Sequence, residues 1–590
     1  MNNAPILLPN LSSRQQEAVE SPINGPLLII AGAGSGKTAT LTARLRFLIQ
    51  NGVSPSKIVA ITFTNKAAGE IRRRLSDLLI SSPPFIGTFH AFGVRILKSE
   101  AHRLGRLPSF SIYDRDDSKR TLIRLLKEKG ISDKRATAPI LLSRLSRLKN
   151  NLLNADHLSH SKEAVDRVLF NIFPLYENLL ASNNAFDFDD LLVKPVELLS
   201  SDSALRASYQ HRFSHLLVDE YQDVNTAQFE LVKLLSGRDC NLTVVGDDNQ
   251  AIYAFRGADF RNFLNFDRHF PATRVVVLDQ NYRSTGHIIS AASAVIAQNK
   301  VQRPKKLWTA NDAGLPVRVK EHENEVAEAD WIAGRVSAAP SVETGILYRT
   351  NAQSRPLEQS FIESGLPYSI FGGLKFYERL EVRDLVAALR FTLNPRDSLS
   401  RERLEKNLYR PASRRLLSAL PAAASLPPGE LLNFILKTSD YASMLTRRFA
   451  NAAERLENVA ELSAFVSGFS DLASALEKIS LFENSDHRPN AADSLPLNLM
   501  TIHLAKGLEF DRVFIVGASE GLLPHERSFK TSAELEEERR LMYVAMTRAR
   551  HELLISFYGL PSRFLSEIPA ANAELDVSGD LDDEERYISI

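Results

Sequence analysis

Cysteine is nearly absent from the 590-residue sequence, in which Cys240 is the only one. A single cysteine cannot form an intrachain disulfide framework or a cysteine-based zinc site, and we expect Cys240 to serve packing in a reducing compartment. The chain also lacks an excess of charge of either sign, since its formal net charge is +1. The overall composition therefore does not indicate a nucleic-acid partner, and any basic surface has to be local.

Long apolar runs are missing as well. The amino-terminal stretch MNNAPILLPNLSSRQQE has neither the basic region nor the apolar run of a signal peptide, and no later stretch reaches transmembrane length. We therefore expect a soluble, cytoplasmic protein without membrane contact, associated with the nucleoid if the source is prokaryotic. The length of the chain leaves room for roughly four domains.

A phosphate-binding loop is the strongest motif in the chain. The stretch LLIIAGAGSGKT, residues 27–38, runs from a predicted buried strand into a turn of small residues. Backbone amides in such a turn enclose phosphate oxygens. In this pattern Lys37 reaches the β- and γ-phosphates and Thr38 ligates Mg²⁺, although Ala31 stands where the strict pattern has glycine. The residues predicted to hold the nucleotide here are Ala31, Gly32, Ala33, Gly34, Ser35, Gly36, Lys37 and Thr38.

Two adjacent carboxylates follow a later predicted strand. Residues 216–218 lead directly into Asp219 and Glu220, and a nucleotide-hydrolysing site needs two carboxylates with different tasks. We expect Asp219 to hold Mg²⁺ through water and Glu220 to polarise the attacking water. The next strand pattern precedes Gln250, which is placed to sense the γ-phosphate.

Hydroxyl, aromatic and imidazole side chains follow two other strand patterns. Phe63 and Thr64 end the strand in IVAITFTNKAAGEIRRRL, and Thr88 and His90 lie in IGTFHAFGVRILK. Open α/β sheets bind ligands at the carboxyl ends of their strands. Phe63 therefore either stacks on a base or belongs to the core, and Thr88 and His90 are candidate phosphate or sugar contacts.

A cluster of aromatic residues beside a cation follows Gln250. Tyr253, Phe255 and Arg256 lie in AIYAFRGAD. Proteins that bind single strands without sequence preference stack bases on aromatic side chains next to arginine. Packing in the core is the alternative explanation for these aromatic residues.

Helical periodicity interrupts both halves of the chain. Leucine stripes with flanking basic residues fill 104–212, and a second leucine-rich stretch fills 380–494. Strand patterns recur around both stretches, so one phosphate loop and two sheets predict a duplicated α/β core with a single nucleotide site. We expect that site in the cleft between the two lobes, with Arg283 and Arg548 as candidate cations reaching across it.

Taken in order, these motifs resemble those of the UvrD/Rep/PcrA family of superfamily 1 DNA helicases over nearly the whole chain. The stretches that carry the resemblance are LSSRQQEAV, AGAGSGKT, AITFTNKAA, GTFHAFGVRIL, LLVDEYQD, VVGDDNQAIYAFRGA, LDQNYRST, YRTNAQSR, GGLKFYERLEVRD, LMTIHLAKGLEFDRVFIVG and EEERRLMYVAMTRAR.

The resemblance implies an α/β fold of two RecA-like parallel-sheet lobes, each with a mainly helical insertion. The implied parts are 1–103 and 213–280 for the first lobe, 104–212 for its insertion, 281–379 and 495–570 for the second lobe, and 380–494 for a shortened second insertion. The acidic stretch 571–590 is poor in core residues, and we expect it to be a disordered tail.

The resemblance also implies roles for individual residues. Gln15 reads adenine, Tyr282 stacks on it and Glu509 lies near the ribose. The hydrolytic centre consists of Lys37, Thr38, Asp219 and Glu220, with Gln250, Arg283 and Arg548 around the γ-phosphate. The predicted DNA contacts are Phe63, Thr64, Thr88, His90, Tyr253, Phe255, Arg256, Arg349 and His503.

Three positions depart from the family pattern. Phe255 stands where tryptophan is usual, Ala39 where arginine is usual and Leu504 where serine is usual. From the same comparison we expect the protein to lack the usual carboxy-terminal extension of the family. We expect these departures to affect rate, step efficiency and partner docking more than activity itself.

The sequence thus predicts an ATP-dependent 3′–5′ DNA helicase that uses ATP and Mg²⁺. Its expected substrates are single-stranded and tailed duplex DNA in repair or replication, with proteins of those processes as potential partners and no requirement for oligomerisation. One alternative is a translocase that strips proteins from single strands and unwinds weakly. The others are a scaffold that binds nucleotide as a switch and an enzyme that acts on RNA.

Overall fold

A computed structural model describes residues 11–76, 82–131, 136–237, 241–372, 374–395, 397–483 and 497–576. These residues form two compact units. The first comprises the chain up to Arg283 together with Asn299–Ala310, and the second comprises Ser284–Gln298 and the chain from Asn311 onwards. Cys240 lies outside the described residues.

The first unit contains short strands separated by helices. Its strands are β1 Leu27–Ala31, β2 Ile58–Thr62, β3 Phe85–Thr88, β4 Ser111–Tyr113, β5 Ala185–Asp187, β6 His215–Val218, β7 Leu242–Gly246, β8 Arg274–Leu278, β9 Gln280–Asn281 and β10 Trp308–Thr309. Its helices are α1 Ser13–Val19, α2 Lys37–Gln50, α3 Asn65–Arg74, α4 Phe89–Glu100, α5 Arg115–Glu128, α6 Ala138–Asn150, α7 Ala164–Ser182, α8 Asp190–Ser201, α9 Ser203–Arg212, α10 Thr226–Ser236, α11 Arg261–Leu264 and α12 Phe266–His269.

Six of these strands form one sheet in the order β3-β2-β6-β7-β1-β8, and every pair in it is parallel. Alternate residues of β1 enter opposite cores, with Leu28 and Ile30 on one face and Leu27 and Ile29 on the other. Helices therefore cover both faces of the sheet, as its apolar strands require. The carboxyl ends of β1, β6 and β7 meet at one edge.

The helical region within the first unit has a core of its own. Leu122 of α5, Leu141 and Leu145 of α6, and Leu169 and Tyr176 of α7 are buried together. The parallel pair β4 and β5 lies beside these helices. These strands are three residues each, too short to produce the alternation that predicts a strand from sequence.

The second unit repeats the alternation of strand and helix. Its strands are β11 Val317–His322, β12 Thr344–Tyr348, β13 Ser369–Ile370, β14 Leu497–Thr501, β15 Phe510–Ile515, β16 Ala549–Tyr558 and β17 Ala573–Asp576. Its helices are α13 Gly286–Ala297, α14 Glu325–Ser337, α15 Ser354–Glu363, α16 Leu380–Leu393, α17 Ser398–Asn407, α18 Arg410–Ala419, α19 Pro428–Ser439, α20 Tyr441–Arg448, α21 Ala452–Ser467, α22 Leu472–Glu483, α23 Ile502–Ala505 and α24 Ser532–Met546.

The seven strands of this unit form an all-parallel sheet in the order β13-β14-β12-β15-β16-β11-β17. Helices α16 to α22 enclose a separate leucine-rich core. Two parallel sheets with helical insertions confirm the predicted α/β class. No helix in the described ranges combines the length and apolarity needed to cross a bilayer.

The structure corrects the expectation of a disordered tail from residue 571 onwards. Ala573–Asp576 forms β17, which pairs with β11 at the edge of the second sheet. Two ion pairs support this pairing, Arg318 with Glu574 at 3.2 Å and Lys320 with Asp576 at 2.7 Å. The acidic side chains that suggested disorder thus meet basic partners on β11, and residues 577–590 lie outside the described residues.

Candidate active site

The predicted phosphate-binding loop connects β1 to α2 in the first unit. Gly34 and Gly36 have φ of +66° and +80°, a left-handed conformation that favours glycine. A Cβ atom at Gly34 would overlap the Asn281 side chain, and one at Gly36 would lie 2.7 Å from Nε2 of Gln15. Because α2 begins at Lys37, its first-turn amides and positive dipole end lie at this loop, where an anion is stabilised.

The two predicted carboxylates lie beside the loop. Nζ of Lys37 is 3.5 Å from Oε2 of Glu220, and the Thr38 hydroxyl donates to Oδ2 of Asp219 at 3.3 Å. Burial, with Glu220 adjacent, raises the pKa of Asp219 to about 7. A hydroxyl and a carboxylate are oxygen donors of the kind that Mg²⁺ prefers, so this pair fits the predicted cation.

Glu220 is held in an unusual backbone conformation. Its φ of +50° lies in the left-handed region, which costs a residue with a Cβ atom about 1–2 kcal/mol. The residue directly follows β6 and caps the short 3₁₀ turn Tyr221–Asp223. Strain of this size persists only where the surroundings fix it, and such residues concentrate at functional sites.

Gln250 lies at the end of the neighbouring strand β7. It is buried, and its Nε2 donates to Oδ2 of Asp247 at 2.7 Å. Lys305 forms ion pairs with Asp247 at 2.7 Å and with Asp248 at 2.5 Å. The end of β7 is therefore anchored by a lysine 57 residues away from Asp248 in sequence.

Gln15 and Tyr282 lie together on the other side of the loop. Gln15 donates from Nε2 to the Ser35 carbonyl at 2.9 Å and accepts from the Ser12 amide at 3.0 Å. Tyr282 is 44% exposed, and its amide donates to the Gly34 carbonyl at 3.0 Å. Both side chains line a small cavity beside Trp308.

Arg283 follows Tyr282 in the same unit. Its amide donates to Oδ1 of Asn281 at 2.9 Å, and a Cβ atom added to Gly34 would lie 2.9 Å from its own Cβ. The structure thus places Arg283 against the phosphate-binding loop.

The predicted aromatic DNA contacts form a stack in the first unit. The rings of Phe63 and Tyr253 are parallel to within 10°, with centroids 5.3 Å apart. The guanidinium of Arg256 lies 5.1 Å from the Tyr253 ring centroid and 5.5 Å from that of Phe255. Base stacking and packing in the core, the two explanations for these aromatic residues, therefore apply to different residues. Phe255 is 66% exposed and offers its ring to solvent, whereas Tyr253 is largely packed.

Thr64, Thr88 and His90 lie at the amino ends of α3 and α4. Thr64 caps α3 and Thr88 caps α4, each by accepting a backbone amide at 3.2 Å. His90 stacks on Phe188 with centroids 4.0 Å apart, and burial lowers the pKa of His90 to about 4. The imidazole is therefore neutral near pH 7 and presents a ring rather than a positive charge.

The remaining predicted residues belong to the second unit. Arg349 makes a bidentate ion pair with Glu538 at 2.8–3.1 Å. Glu509 accepts from Arg550 at 3.0 Å, and His503 lies on the short helix α23. Arg548 is 2% exposed, and its guanidinium donates to the carbonyls of Val544 at 2.9 Å and Leu508 at 3.1 Å.

Sequence reasoning missed four residues at these sites. Asn281 donates to the Ala33 carbonyl at 2.7 Å, Phe188 stacks on His90, Lys305 anchors the end of β7, and Gln222 bonds to Glu220 at 2.6 Å. Asn281 and Gln222 lie inside the quoted motifs LDQNYRST and LLVDEYQD, and this position in a motif could have identified them as site residues. Lys305 and Phe188 reach the sites only through tertiary structure.

Comparison with known proteins gives two family matches. The model described as UvrD/REP helicase N-terminal domain matches residues 11–271. The model described as UvrD-like helicase C-terminal domain matches residues 276–441 and 430–559. Together these matches extend over nearly all of the chain.

Individual relatives are similar over most of their length. The chain is 37% identical over 637 residues to the ATP-dependent DNA helicase PcrA of Bacillus subtilis, covering 95% of this chain and 86% of the relative. It is 38% identical over 660 residues to the ATP-dependent DNA helicase UvrD1 of Mycobacterium tuberculosis, covering 95% and 85%. The PcrA of Staphylococcus aureus strain MRSA252 is 36% identical over 646 residues, covering 97% and 88%.

Proposed function

The chain belongs to the UvrD/REP helicase family, and on that premise we propose that it is an ATP-dependent DNA helicase. It translocates 3′ to 5′ on single-stranded DNA and unwinds duplex DNA during repair or replication. The observation that carries the proposal is the meeting of Lys37 and Thr38 with Glu220 and Asp219 at one edge of the first sheet. In nucleotide-hydrolysing sites a phosphate cradle acts with a carboxylate near Mg²⁺ and a residue that positions the attacking water, and this group of residues supplies all three.

The geometry supports the following hydrolytic roles. The amides of the loop and Lys37 bind the phosphates, and Glu220 orients and polarises the attacking water. Thr38 and Asp219 would hold Mg²⁺, which neutralises phosphate charge when bound. Gln250, fixed by Asp247, is the proposed sensor of the γ-phosphate.

Two arginines are proposed to stabilise charge on the transferred phosphoryl group. An arginine in this role is worth about 10³–10⁵ in rate. Arg283 lies against the phosphate-binding loop. The guanidinium of Arg548 bonds to backbone carbonyls, so its participation requires it to exchange these bonds for the phosphate.

The first unit offers a surface for single-stranded DNA. Phe255 and Arg256 present a ring and a cation beside Tyr253, and base stacking on such a ring is worth about 1–3 kcal/mol per base. The 66% exposure of Phe255 supports this role. We also assign the stacked pair of His90 and Phe188 to this surface, since Phe188 is 56% exposed.

ATP hydrolysis with and without single-stranded DNA tests the proposal. The wild-type protein is expected to hydrolyse ATP faster when single-stranded DNA is added. Lys37→Ala should lower the stimulated rate by about 10² or more, because it removes the cation from the phosphates. Lys57→Ala, which changes an exposed lysine of the same unit, is the matched control. Wild-type rates in Lys37→Ala, or no stimulation of the wild type, would refute the proposal.

A further inference from the structure

Gln222 bridges the ends of two neighbouring strands in the first unit. It lies in the 3₁₀ turn that follows β6, and it is fully buried, with 0% exposure. Its Nε2 donates to Oε2 of Glu220 at 2.6 Å, and its Oε1 accepts from the Asp247 amide at 3.0 Å. The side-chain amide of Gln222 therefore forms hydrogen bonds at both ends. Its nitrogen donates to the carboxylate that follows β6, and its oxygen accepts from the backbone that follows β7.

The first of these bonds bears on the proposed water-polarising carboxylate. Lys37 and Gln222 approach the same oxygen, Oε2 of Glu220, at 3.5 and 2.6 Å. Two donors on one oxygen fix the direction in which the carboxylate points. The backbone of Glu220 is strained at φ +50°, so a side-chain anchor is needed to hold this residue in one geometry.

The second bond bears on the proposed γ-phosphate sensor. The backbone of Asp247 is pinned by Gln222, and the carboxylate of Asp247 accepts from Gln250 at 2.7 Å. The same carboxylate pairs with Lys305 at 2.7 Å, and Asp247 is itself fully buried. A Cβ atom on Gly246 would lie 2.5 Å from Oε1 of Gln222, so the close approach of this amide depends on glycine at that position.

We propose that Gln222 is a positioning residue for ATP hydrolysis, which fixes the Glu220 carboxylate and ties it through Asp247 to Gln250. The inference rests on the proposed function of this site and adds a residue that acts through others. Gln222 does not touch the nucleotide in this account. Its removal should therefore slow the chemical step without weakening nucleotide binding, because misplacement of a catalytic group by about 1 Å can cost 10²-fold in rate.

The test compares two buried glutamines. Gln222→Met keeps the side-chain volume and removes the hydrogen bonds to Glu220 and the Asp247 amide, together with a longer one to Oδ2 of Asp223 at 3.3 Å. The matched control is Gln228→Met, since Gln228 is also buried in this unit but its side chain caps α10 by accepting from the Asn225 amide at 3.1 Å. We expect Gln222→Met to lower kcat by about 10- to 100-fold, with KM for ATP and Kd for a fluorescent ATP analogue unchanged within about threefold. Gln228→Met should leave kcat near the wild-type value.

Two further variants keep the inference testable. In a Glu220→Gln background, Gln222→Met should reduce kcat by less than about twofold, because coupled residues have non-additive effects. Gln222→Asn keeps a buried amide but shortens it by one methylene, so it cannot reach both Glu220 and the Asp247 amide; it should also lower kcat and replaces Gln222→Met if that variant does not fold.

Three outcomes would overturn the inference. They are a wild-type kcat in a folded Gln222 variant, a kcat loss that Gln228→Met reproduces, and a loss that appears in KM or Kd instead. If the wild-type protein itself fails to hydrolyse ATP, the result refutes the proposed function and is thereby distinguished from failure of the positioning role.

Discussion

Arg349 is a residue for which a motif and a structure indicate different roles. The resemblance places it among the DNA contacts, whereas its guanidinium makes a bidentate pair with Glu538, whose side chain is 5% exposed. Breaking a buried ion pair costs about 3–5 kcal/mol, and the low end applies here because the Glu538 carboxylate keeps two neutral donors, the His525 amide at 3.0 Å and the Ser528 hydroxyl at 3.3 Å. We therefore predict that Arg349→Met lowers the free energy of unfolding by about 3 kcal/mol, measured by chemical denaturation.

Arg335→Met is the control for this prediction. Arg335 pairs with Glu552, its own side chain is 36% exposed, and Glu552 keeps a second partner in Arg512. We expect Arg335→Met to lower the free energy of unfolding by about 1 kcal/mol or less. Unchanged stability of Arg349→Met together with weakened DNA binding would instead favour the DNA contact.

Glu328 on α14 makes part of the stability depend on pH. It is buried and accepts from the Gly517 amide at 2.9 Å, and burial raises the pKa of Glu328 from 4.5 to about 7. Between these values the folded state holds a proton that the unfolded state has released. The free energy of unfolding therefore falls as the pH rises from about 4.5 to about 7, by up to about 3 kcal/mol.

Glu328→Gln should remove this dependence, because its amide does not ionise. Measured as the difference from wild type, the variant should gain on the order of 2 kcal/mol of unfolding free energy between about pH 5 and pH 8. Glu323→Gln, at an exposed position nearby, should show no such gain. A pH-independent difference between Glu328→Gln and wild type would contradict the assignment.

At the residue scale, the predictable part of the candidate site was the part encoded locally. Two short motifs indicate the chemistry of the residues they contain. The first includes Gly34, Gly36 and Lys37, and the second includes Asp219 and Glu220. The hydrogen bonds of Gln222 and the anchoring of β7 by Lys305 depend on strands and segments that only folding brings together. A single sequence contains no local signal for such contacts.

Helix α4 shows how one residue fixes the spacing of two elements. A Cβ atom on Gly93 would overlap the backbone carbonyl oxygen of Leu191 in α8, and backbone cannot move aside as a flexible side chain can. We predict that Gly93→Ala destabilises the first unit by at least about 1–3 kcal/mol through overpacking, measured as a fall in Tm or in unfolding free energy.

Gly69→Ala in α3 is the matched control. Nothing lies within 4 Å of a Cβ atom there, and alanine is favoured over glycine in a helix by about 0.5–1 kcal/mol. This variant should therefore be slightly more stable than wild type. Equal effects of the two substitutions would show that α4 and α8 are not in such close contact.

At the element scale, long elements with a clear period were predicted and short ones were not. The buried strands β1, β2, β6 and β7 were recognised because each is a continuous apolar run. Strands β4, β5 and β17 span three or four residues, which is too short for a recognisable sequence pattern. They are strands because each pairs with a neighbouring strand. The acidic composition of β17 predicted disorder, whereas in the structure its acidic side chains pair with basic residues of β11.

At the scale of the whole molecule, one phosphate-binding loop and two series of strands were enough to predict two parallel-sheet units. The resemblance implied a lobe boundary at residue 280, and the two units divide after Arg283. The return of Asn299–Ala310 to the first unit was not predicted, because that segment follows α13 of the second unit and carries no distinguishing pattern. Its Lys305 and Trp308 nevertheless serve the candidate active site.

For the whole protein, we propose that hydrolysis at the first unit's carboxylates drives strand separation. Unwinding of tailed duplexes by the purified chain with ATP tests this claim most directly. We predict that the wild type displaces the strand of a 3′-tailed duplex and not that of a 5′-tailed duplex. Glu220→Gln should abolish the displacement, whereas Glu230→Gln, at a half-buried position on α10 that pairs with the exposed Lys233, should retain it. Displacement that persists in Glu220→Gln, or a preference for the 5′-tailed duplex, would contradict the account.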